Sequence, residues 1–385
     1  MTKAVLALNA GSSSIKFAVY RAGDDGNGLS LICKGIRDRR ATDGQFRIID
    51  AKGKTIADLK SASAQGADPV VELLDKLEPV IAGSEFAAVG HRIVHGGPRF
   101  AEPVVIDRDV LAALDELTPL APLHQPACLA PIKSLLATRP TLPQVACFDT
   151  AFHRELEPVY KRFAIPDMGE AVHRYGFHGL SFEYVRRRID EPAARTVIAH
   201  LGSGCSICAI RDGKCVNTSM SMTPLDGLMM ATRCGAIDPG LLLYLQKTKG
   251  LSVKELEDLL YYKSGLLAVS GVSADMRTLL AADDANAKLA VEQFCARAAE
   301  YVAVMATALG GVELLVFTGG IGENSAPIRR DICQRLQFLG VELDGAANEK
   351  NAATISSSNG RAAVRVIPTN EEEVIARYTA RIAMR

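Results

Sequence analysis

The sequence predicts an α/β protein built from two similar domains, and three observations carry that expectation. First, the stretch VLALNAGSSSIKFAVY (residues 5–20), two apolar runs around a Gly-Ser turn, is matched in kind by TVIAHLGSGCSICAI (196–210). Val197-Ile198-Ala199-His200 stands where Val5-Leu6-Ala7-Leu8 does, and SICAI returns as SIKFAV does. Second, segments of helical period lie between and beyond these hairpins, so strands and helices share the chain. Third, 385 residues exceed what a single hydrophobic core usually serves.

The first hairpin ends a buried run at Asn9, turns through Gly11-Ser12-Ser13-Ser14 and places Lys16 on the return. Small residues let backbone N–H groups approach a ligand, and hydroxyls with a lysine suit a phosphate; a plain hairpin with a soluble turn has the same pattern. Residues 22–66 are weakly patterned and predict strands and loops. Amphipathic helices are expected over 68–81, 109–117 and 252–262, the last with Ser252 and Glu255 as a capping box. A longer helix over 288–309 carries Leu289, Phe294, Ala298, Val302, Met305 and Leu309 at helical spacing and stops at Gly310-Gly311. VELLVFTGGIGENS (312–325) then predicts an apolar strand ending in a glycine-rich turn, and 368–385 a final helix with acids in its first turn. Strands thus end in glycine turns at Gly11, at Gly202/Gly204 and at Gly319/Gly320/Gly322, where open α/β sheets gather ligands.

Composition narrows the class. With 48% hydrophobic and 23% charged residues the chain is globular, and 44 basic against 44 acidic residues give no excess for nucleic acid. The early run AVLAL is too short for a signal segment, and the apolar stretch AEYVAVMATALGG is interrupted upstream by Glu292, Arg297 and Glu300, so no membrane association is expected. Nine cysteines without small-domain spacing predict reduced thiols and a cytoplasmic location.

Standard nucleotide fingerprints do not apply. GSSSIK lacks the spacing of a P-loop, and GSGCSI has Ile207 where GxGxxG needs its third glycine. In CSIC, Cys205 and Cys208 would point to opposite faces of a strand, which argues against a shared metal; these thiols and Cys215 are expected to be small core residues. Arg92 and His95 in GHRIVHGG, Asp149 in CFDTAFH, His178 in RYGFHGLS and Arg233 in TPLDGLMMATRCGAIDPG all sit on small, glycine-rich loops, where chemistry commonly resides.

The ordered set LNAGSSSIKF, GHRIVHGG, FDTAFH, RYGFHG, HLGSG, TPLDGLMMATRCG, SGVSADMR, FTGGIGEN and PTNEE resembles the acetate kinase family from residue 5 to about 380. That resemblance implies two duplicated actin/ribonuclease-H-like domains with an ATP cleft between them, working as a homodimer. One domain would span 1–150 plus 372–385, and the nucleotide-binding and dimerisation domain 151–371. It implies Mg²⁺ (or Mn²⁺) at Asn9 and Glu371, with Ser12, Ser14 and Lys16 as a first phosphate loop. Arg92 would bind the acceptor carboxylate, and Val94, Leu123 and Pro224 its methyl group. Asp149, His178 and Arg233 would be catalytic. The backbone of His200, Leu201, Gly202, Ser203 and Gly204 would form a second phosphate loop. Asp275, Met276 and Arg277, with Gly320, Ile321, Gly322, Glu323 and Asn324, would bind adenosine. Ser203, Ala236, Gln125, Leu180 and Phe182 depart from the family's usual Asn, Asp, Asn, Thr and His.

The implied reaction is reversible phosphoryl transfer from ATP to acetate. A short carboxylate has a pKa of roughly 4 to 4.5 and is ionised at neutral pH, so it needs no general base. It needs a cationic clamp instead, and an arginine fork matches a carboxylate. Asp149 would then orient Arg92 or the metal's waters. A propionate or other short-chain carboxylate kinase is close in kind. A sugar or glycerol kinase would use Asp149 as a base, and an actin-like ATPase would leave Arg92 and Arg233 unexplained.

Overall fold

The computed structural model describes residues 2–11, 14–23, 28–38, 46–59, 68–81, 83–122, 124–189 and 195–384. The chain divides into two compact units, Met1–Ala151 with Asn370–Arg385, and Phe152–Thr369.

The first unit holds one mixed sheet of β1 (Thr2–Ala10), β2 (Ser14–Ala22), β3 (Ser30–Asp38), β4 (Phe46–Asp50), β5 (Thr55–Leu59), β6 (Ser84–Ile93), β7 (Val104–Val105) and β8 (Gln144–Phe148). Its order is β5-β4-β3-β2-β1-β6-β8-β7. Strands β1 to β5 pair antiparallel, whereas β1, β6 and β8 run parallel. Ala4 to Leu8 are all buried because β1 is covered on both faces, which is why it reads as an unbroken apolar run. Leu6 and Leu8 join Val70, Leu73, Leu74 and Leu77 of the Pro69–Leu77 helix in one core. The C-terminal helix Glu371–Ala383 lies against β1, β6 and β8. The weakly patterned stretch after residue 22 contains β3, β4 and β5.

The second unit holds β9 (Arg195–Leu201), β10 (Cys205–Arg211), β11 (Lys214–Thr218), β12 (Leu314–Thr318) and β13 (Ala363–Val366), ordered β11-β10-β9-β12-β13. Again an antiparallel meander of three strands is followed by two parallel neighbours. This matches β3-β2-β1-β6-β8 strand for strand, so the hairpin repeat of the sequence is a repeat of the whole sheet core.

Two expectations need correction. The long helix is Ala285–Leu309, capped by Asp284 and closed by Gly310 in the left-handed region, but Leu289 is 53% exposed. Its buried stripe runs through Ala287, Val291, Phe294, Ala298, Val302, Met305 and Leu309, steps of three and four that exclude position 289. The glycines after β12 form no loose turn: Gly319–Asn324 is a short helix. Among the described residues no helix is long and apolar enough to cross a membrane.

Candidate active site

In the first unit the sheet's central strands end in one polar group. Asn9, the next-to-last residue of β1, faces Lys16 across the hairpin, whose turn is held by Gly11 N–H donating to the Ser14 carbonyl at 2.9 Å. Lys16 is exposed and Ser14 half-buried; Ser12 lies outside the described residues. Arg92, near the end of β6, donates from Nε to both oxygens of Asp149 at 3.1 Å and from Nη2 to Oδ2. Its Nη1 donates to Asn9 Oδ1 at 3.3 Å. Asp149, just past β8, is wholly buried, whereas the Arg92 side chain stays 16% exposed. Burial alone would lower the Arg92 pKa, but Asp149 and Glu371 more than reverse that and raise it. The guanidinium therefore has one edge fixed by Asp149, and its inventory of five N–H groups leaves a hydrogen on each terminal nitrogen for another anion.

The C-terminal helix adds two carboxylates to this group. Asn9 Nδ2 donates to Glu371 Oε2 at 2.8 Å and to Glu372 Oε1 at 3.4 Å. Burial, and then the neighbouring Glu371, raises the Glu372 pKa. Sequence reasoning claimed only one acid of NEEEV; the missed signal is that Glu371 and Glu372 both stand in the first turn of a helix entered at the sheet's end. Asp149, Glu371 and Glu372 gather beside Arg92 and Lys16, an acid-rich set of hard oxygen donors. That donor chemistry fits Mg²⁺ or Mn²⁺. Val94, two residues beyond Arg92 in the chain, is buried, and Leu123 lies outside the described residues.

In the second unit the β9–β10 turn is the counterpart. Gly202 N–H donates to the Gly204 carbonyl at 3.1 Å, and the Ser203 carbonyl accepts from Ala231 N–H at 3.2 Å. A Cβ on Gly204 would stand 2.8 Å from Arg233 Nη2 and 3.3 Å from His178 Nε2. The bare glycine thus lets an arginine and an imidazole close over the turn. His178 adopts φ 58°, a left-handed conformation uncommon outside glycine, at the start of the Gly179–Arg187 helix. Its Nδ1 is 2.8 Å from Ser206 Oγ, and its ring stacks on His200 with centroids 4.4 Å apart. His200 Nδ1 is held by Ser181 Oγ at 2.8 Å. Arg233 Nη1 donates to the carbonyl of buried Pro224 at 2.6 Å. A Cβ on Gly202 would also lie 3.8 Å from Gly320 N, so the start of the Gly319–Asn324 helix adjoins the turn.

The remaining expected nucleotide residues divide by side chain. Asp275 caps the Met276–Ala281 helix and pairs with exposed Arg277 at 2.8 Å; that pairing holds its carboxyl down at about 2. Met276 is buried in the core. The Glu323 carboxylate accepts from Gly319 N–H at 2.9 Å and Thr369 N–H at 3.0 Å, stapling its own helix. Gly320 and Asn324 are exposed, Gly322 is buried and Ile321 half-buried. Arg329, which sequence reasoning passed over, is fully buried and donates to the Gly322 and Glu323 carbonyls at 2.9 and 3.1 Å. Of the family departures, Phe182 and Leu180 are core residues, and Gln125 is a buried tie to the His95 backbone.

A duplicated α/β core carrying cations and glycine turns at its strand ends is a scaffold suited to phosphoryl transfer. The acetokinase family model matches residues 4–377, and the chain belongs to that family. It is 44% identical to the acetate kinase of Rhodopseudomonas palustris, over all of this chain and 99% of that one. Among solved structures, a propionate kinase from Francisella tularensis has a TM-score of 0.88 at 38% identity, covering 99% of this chain and all of the other. Porphyromonas gingivalis acetate kinase has a TM-score of 0.84 at 35% identity, covering 98% of each chain.

Proposed function

We propose that the protein is an acetate kinase, transferring the γ-phosphoryl group of ATP reversibly to acetate to give acetyl phosphate and ADP. The observation that carries this reading is the Arg92–Asp149 pair. A hydroxyl acceptor would need a carboxylate to take its proton, yet Asp149 is buried and fixed against the guanidinium. An acceptor that is already an anion needs the guanidinium itself, and the edge of Arg92 turned away from Asp149 suits a bidentate carboxylate. Asp149 is then a positioning residue, and Val94 supplies apolar contact for the methyl group, with Leu123 and Pro224 proposed for the same role.

His178 and Arg233 offset charge on the transferring phosphoryl group, and the Gly202–Gly204 turn with Lys16, Ser12 and Ser14 offers donors to phosphate oxygens. The Asp275–Arg277 and Gly320–Asn324 segments bind adenosine. Mg²⁺, associated with Asn9, Glu371 and Glu372, would supply charge neutralisation on the phosphates when bound. The nucleotide-binding domain, near 151–371, is also assigned the homodimer interface. That is supported by the Pro239–Lys249 helix, which has no buried residue and exposes Leu241, Leu243 and Tyr244. Nine free cysteines favour a cytoplasmic setting.

Acyl phosphate trapped with hydroxylamine, in the presence of ATP and Mg²⁺, tests the reading across formate, acetate, propionate, butyrate and glycerol. Acetate should give the highest kcat/KM; a methylene is worth only about 1–3 kcal/mol in an apolar pocket, so propionate should follow it. Failure of every short-chain acid to yield a hydroxamate would overturn the assignment, and phosphorylation of glycerol alone would replace it.

A further inference from the structure

A second constellation lies inside the Phe152–Thr369 unit, apart from every group assigned above. His153, Cys208 and Cys215 bring three ligand atoms within 4.8 Å of one another, and all three residues are buried. Cys208 Sγ is 3.4 Å from Cys215 Sγ, which is 3.0 Å from His153 Nδ1. Sequence spacing argued against metal chemistry because Cys205 and Cys208 diverge, and they do: the Cys205 thiol donates to the Gly202 carbonyl. What the spacing could not show is that Cys215 arrives from the neighbouring strand. In the β10–β11 register Ile210 faces Cys215, so Cys215 shares the sheet face of Cys208.

The imidazole is prepared as a ligand. Its Nε2 is 3.0 Å from the Phe177 carbonyl, which can only accept, so Nε2 carries the hydrogen and Nδ1 turns its lone pair to the sulfurs. A carbonyl behind a ring nitrogen is the outer contact that ligating histidines commonly have. The ring is also fixed in place. Phe152 and Phe182 meet it edge-on at 5.6 Å, and Gly176, at φ 79°, stands where a Cβ would be 2.7 Å from the ring carbons. Around the thiols lie Ile198, Ile210, Phe182, Leu314 and Val316.

We propose that His153, Cys208 and Cys215 form a binding site for one soft, thiophilic d¹⁰ cation, Cu⁺ or Zn²⁺, distinct from the oxygen-ligated Mg²⁺ of the kinase reaction. Two sulfurs and one imidazole select such ions over hard cations. Binding exchanges the thiol protons for the metal, so each ion bound releases up to two protons to solvent, and affinity rises with pH.

The test uses the full-length protein, reduced and freed of metal, titrated with Co²⁺ as a reporter, then with Zn²⁺ and with Cu⁺ held by a chromophoric chelator. One equivalent per chain should bind with a sulfur-to-cobalt charge-transfer band, which cobalt on oxygen ligands lacks. Cys208→Ser and Cys215→Ser should each weaken the band and lose at least about tenfold in affinity, and the double variant should lose the band altogether, whereas Cys295→Ser should keep both band and affinity. If a serine variant fails to fold, X-ray absorption at the edge of metal bound to the wild-type protein reads the sulfur and nitrogen ligands directly. Chelator competition separates Cu⁺ from Zn²⁺. The proposal is overturned if folded wild type binds no thiolate-ligated metal, if the band is undiminished in either single serine variant or survives in the double variant, or if the two thiols form a disulfide under the same reducing conditions.

Discussion

If Asp149 acts only by fixing Arg92, the two residues form a unit, and a double-mutant cycle measures it. Arg92→Leu strands a buried carboxylate, Asp149→Asn strands a guanidinium, and the double variant removes both charges. Breaking a fully buried ion pair costs about 3–5 kcal/mol. Here Arg92 is 16% exposed and retains Asn9 as an acceptor, so we expect about 2–3 kcal/mol of stability lost in Asp149→Asn. Arg92→Leu, with its carboxylate left almost wholly inaccessible, should lose more. The double variant should then be more stable than Arg92→Leu alone. The kinetic effect is a separate quantity: loss of the residue that holds the guanidinium in place predicts a loss of about 10²-fold in kcat/KM for acetate on Asp149→Asn. It should appear mainly as a raised KM for acetate, with the KM for ATP little changed. Once Arg92 is Leu, adding Asp149→Asn should cost almost nothing more. Denaturant unfolding supplies one half of the cycle and initial rates of hydroxamate formation the other. Additive losses, or an Asp149→Asn enzyme whose kcat collapses while KM for acetate is unmoved, would refute the positioning role and return Asp149 to the general-base reading.

Three further outcomes follow from the geometry. His178→Ala or Arg233→Ala should lower kcat by about 10²–10³-fold in steady-state assays with little change in unfolding midpoint, as when a charge-stabilising donor is lost. Gly204→Ala should fold normally, because the atom its Cβ crowds most, at 2.8 Å, is the end of the Arg233 side chain and the His178 ring lies farther off at 3.3 Å, yet lose at least about tenfold in kcat as the Arg233 end is pushed from the turn. For Glu372 the sign is set by its folded-state pKa, which lies above the ordinary 4.5. The folded protein then binds more protons than the unfolded one over that window, so this group's contribution to stability falls as pH rises from about 4.5 through the raised value. Glu372→Gln should therefore be more stable than wild type at neutral pH without metal, with the difference vanishing toward pH 4 in unfolding titrations.

The strands and helices were legible where the signal is local. β1 and β9 announced themselves because a strand covered on both faces must be apolar throughout and a tight turn must follow. The Ala285–Leu309 helix is legible from its period over 288–309; its start at Ala285 and the exposure of Leu289, off the three-four rhythm, are not. The helix at Gly319–Asn324 was not, since three glycines in six residues read as a turn. What holds them in a helix is distant or carried by their own carboxylate: Glu323 bridges the helix start to Thr369, and Arg329 binds its last carbonyls.

The candidate site divides by the same rule. Motifs named Arg92, Asp149, His178 and Arg233 individually, but their pairing depends on strand order, which no local pattern carries. β9 ends at Leu201 and β12 starts at Leu314, more than a hundred residues apart, yet they are parallel neighbours, and this alone sets Gly202 beside Gly320. Likewise β6 and β8 are parallel neighbours about fifty residues apart in the chain, and their common end sets Arg92 against Asp149. Parallel pairing requires long crossovers, so a site at the ends of parallel strands draws on residues remote in the chain. The same holds for His153, Cys208 and Cys215, where spacing within one strand argued against a site and the register of the next strand created one. Motif reading recovers residues that carry chemistry next to a glycine turn; it misses residues such as Glu372 and Cys215, whose roles exist only through a neighbour supplied by the sheet.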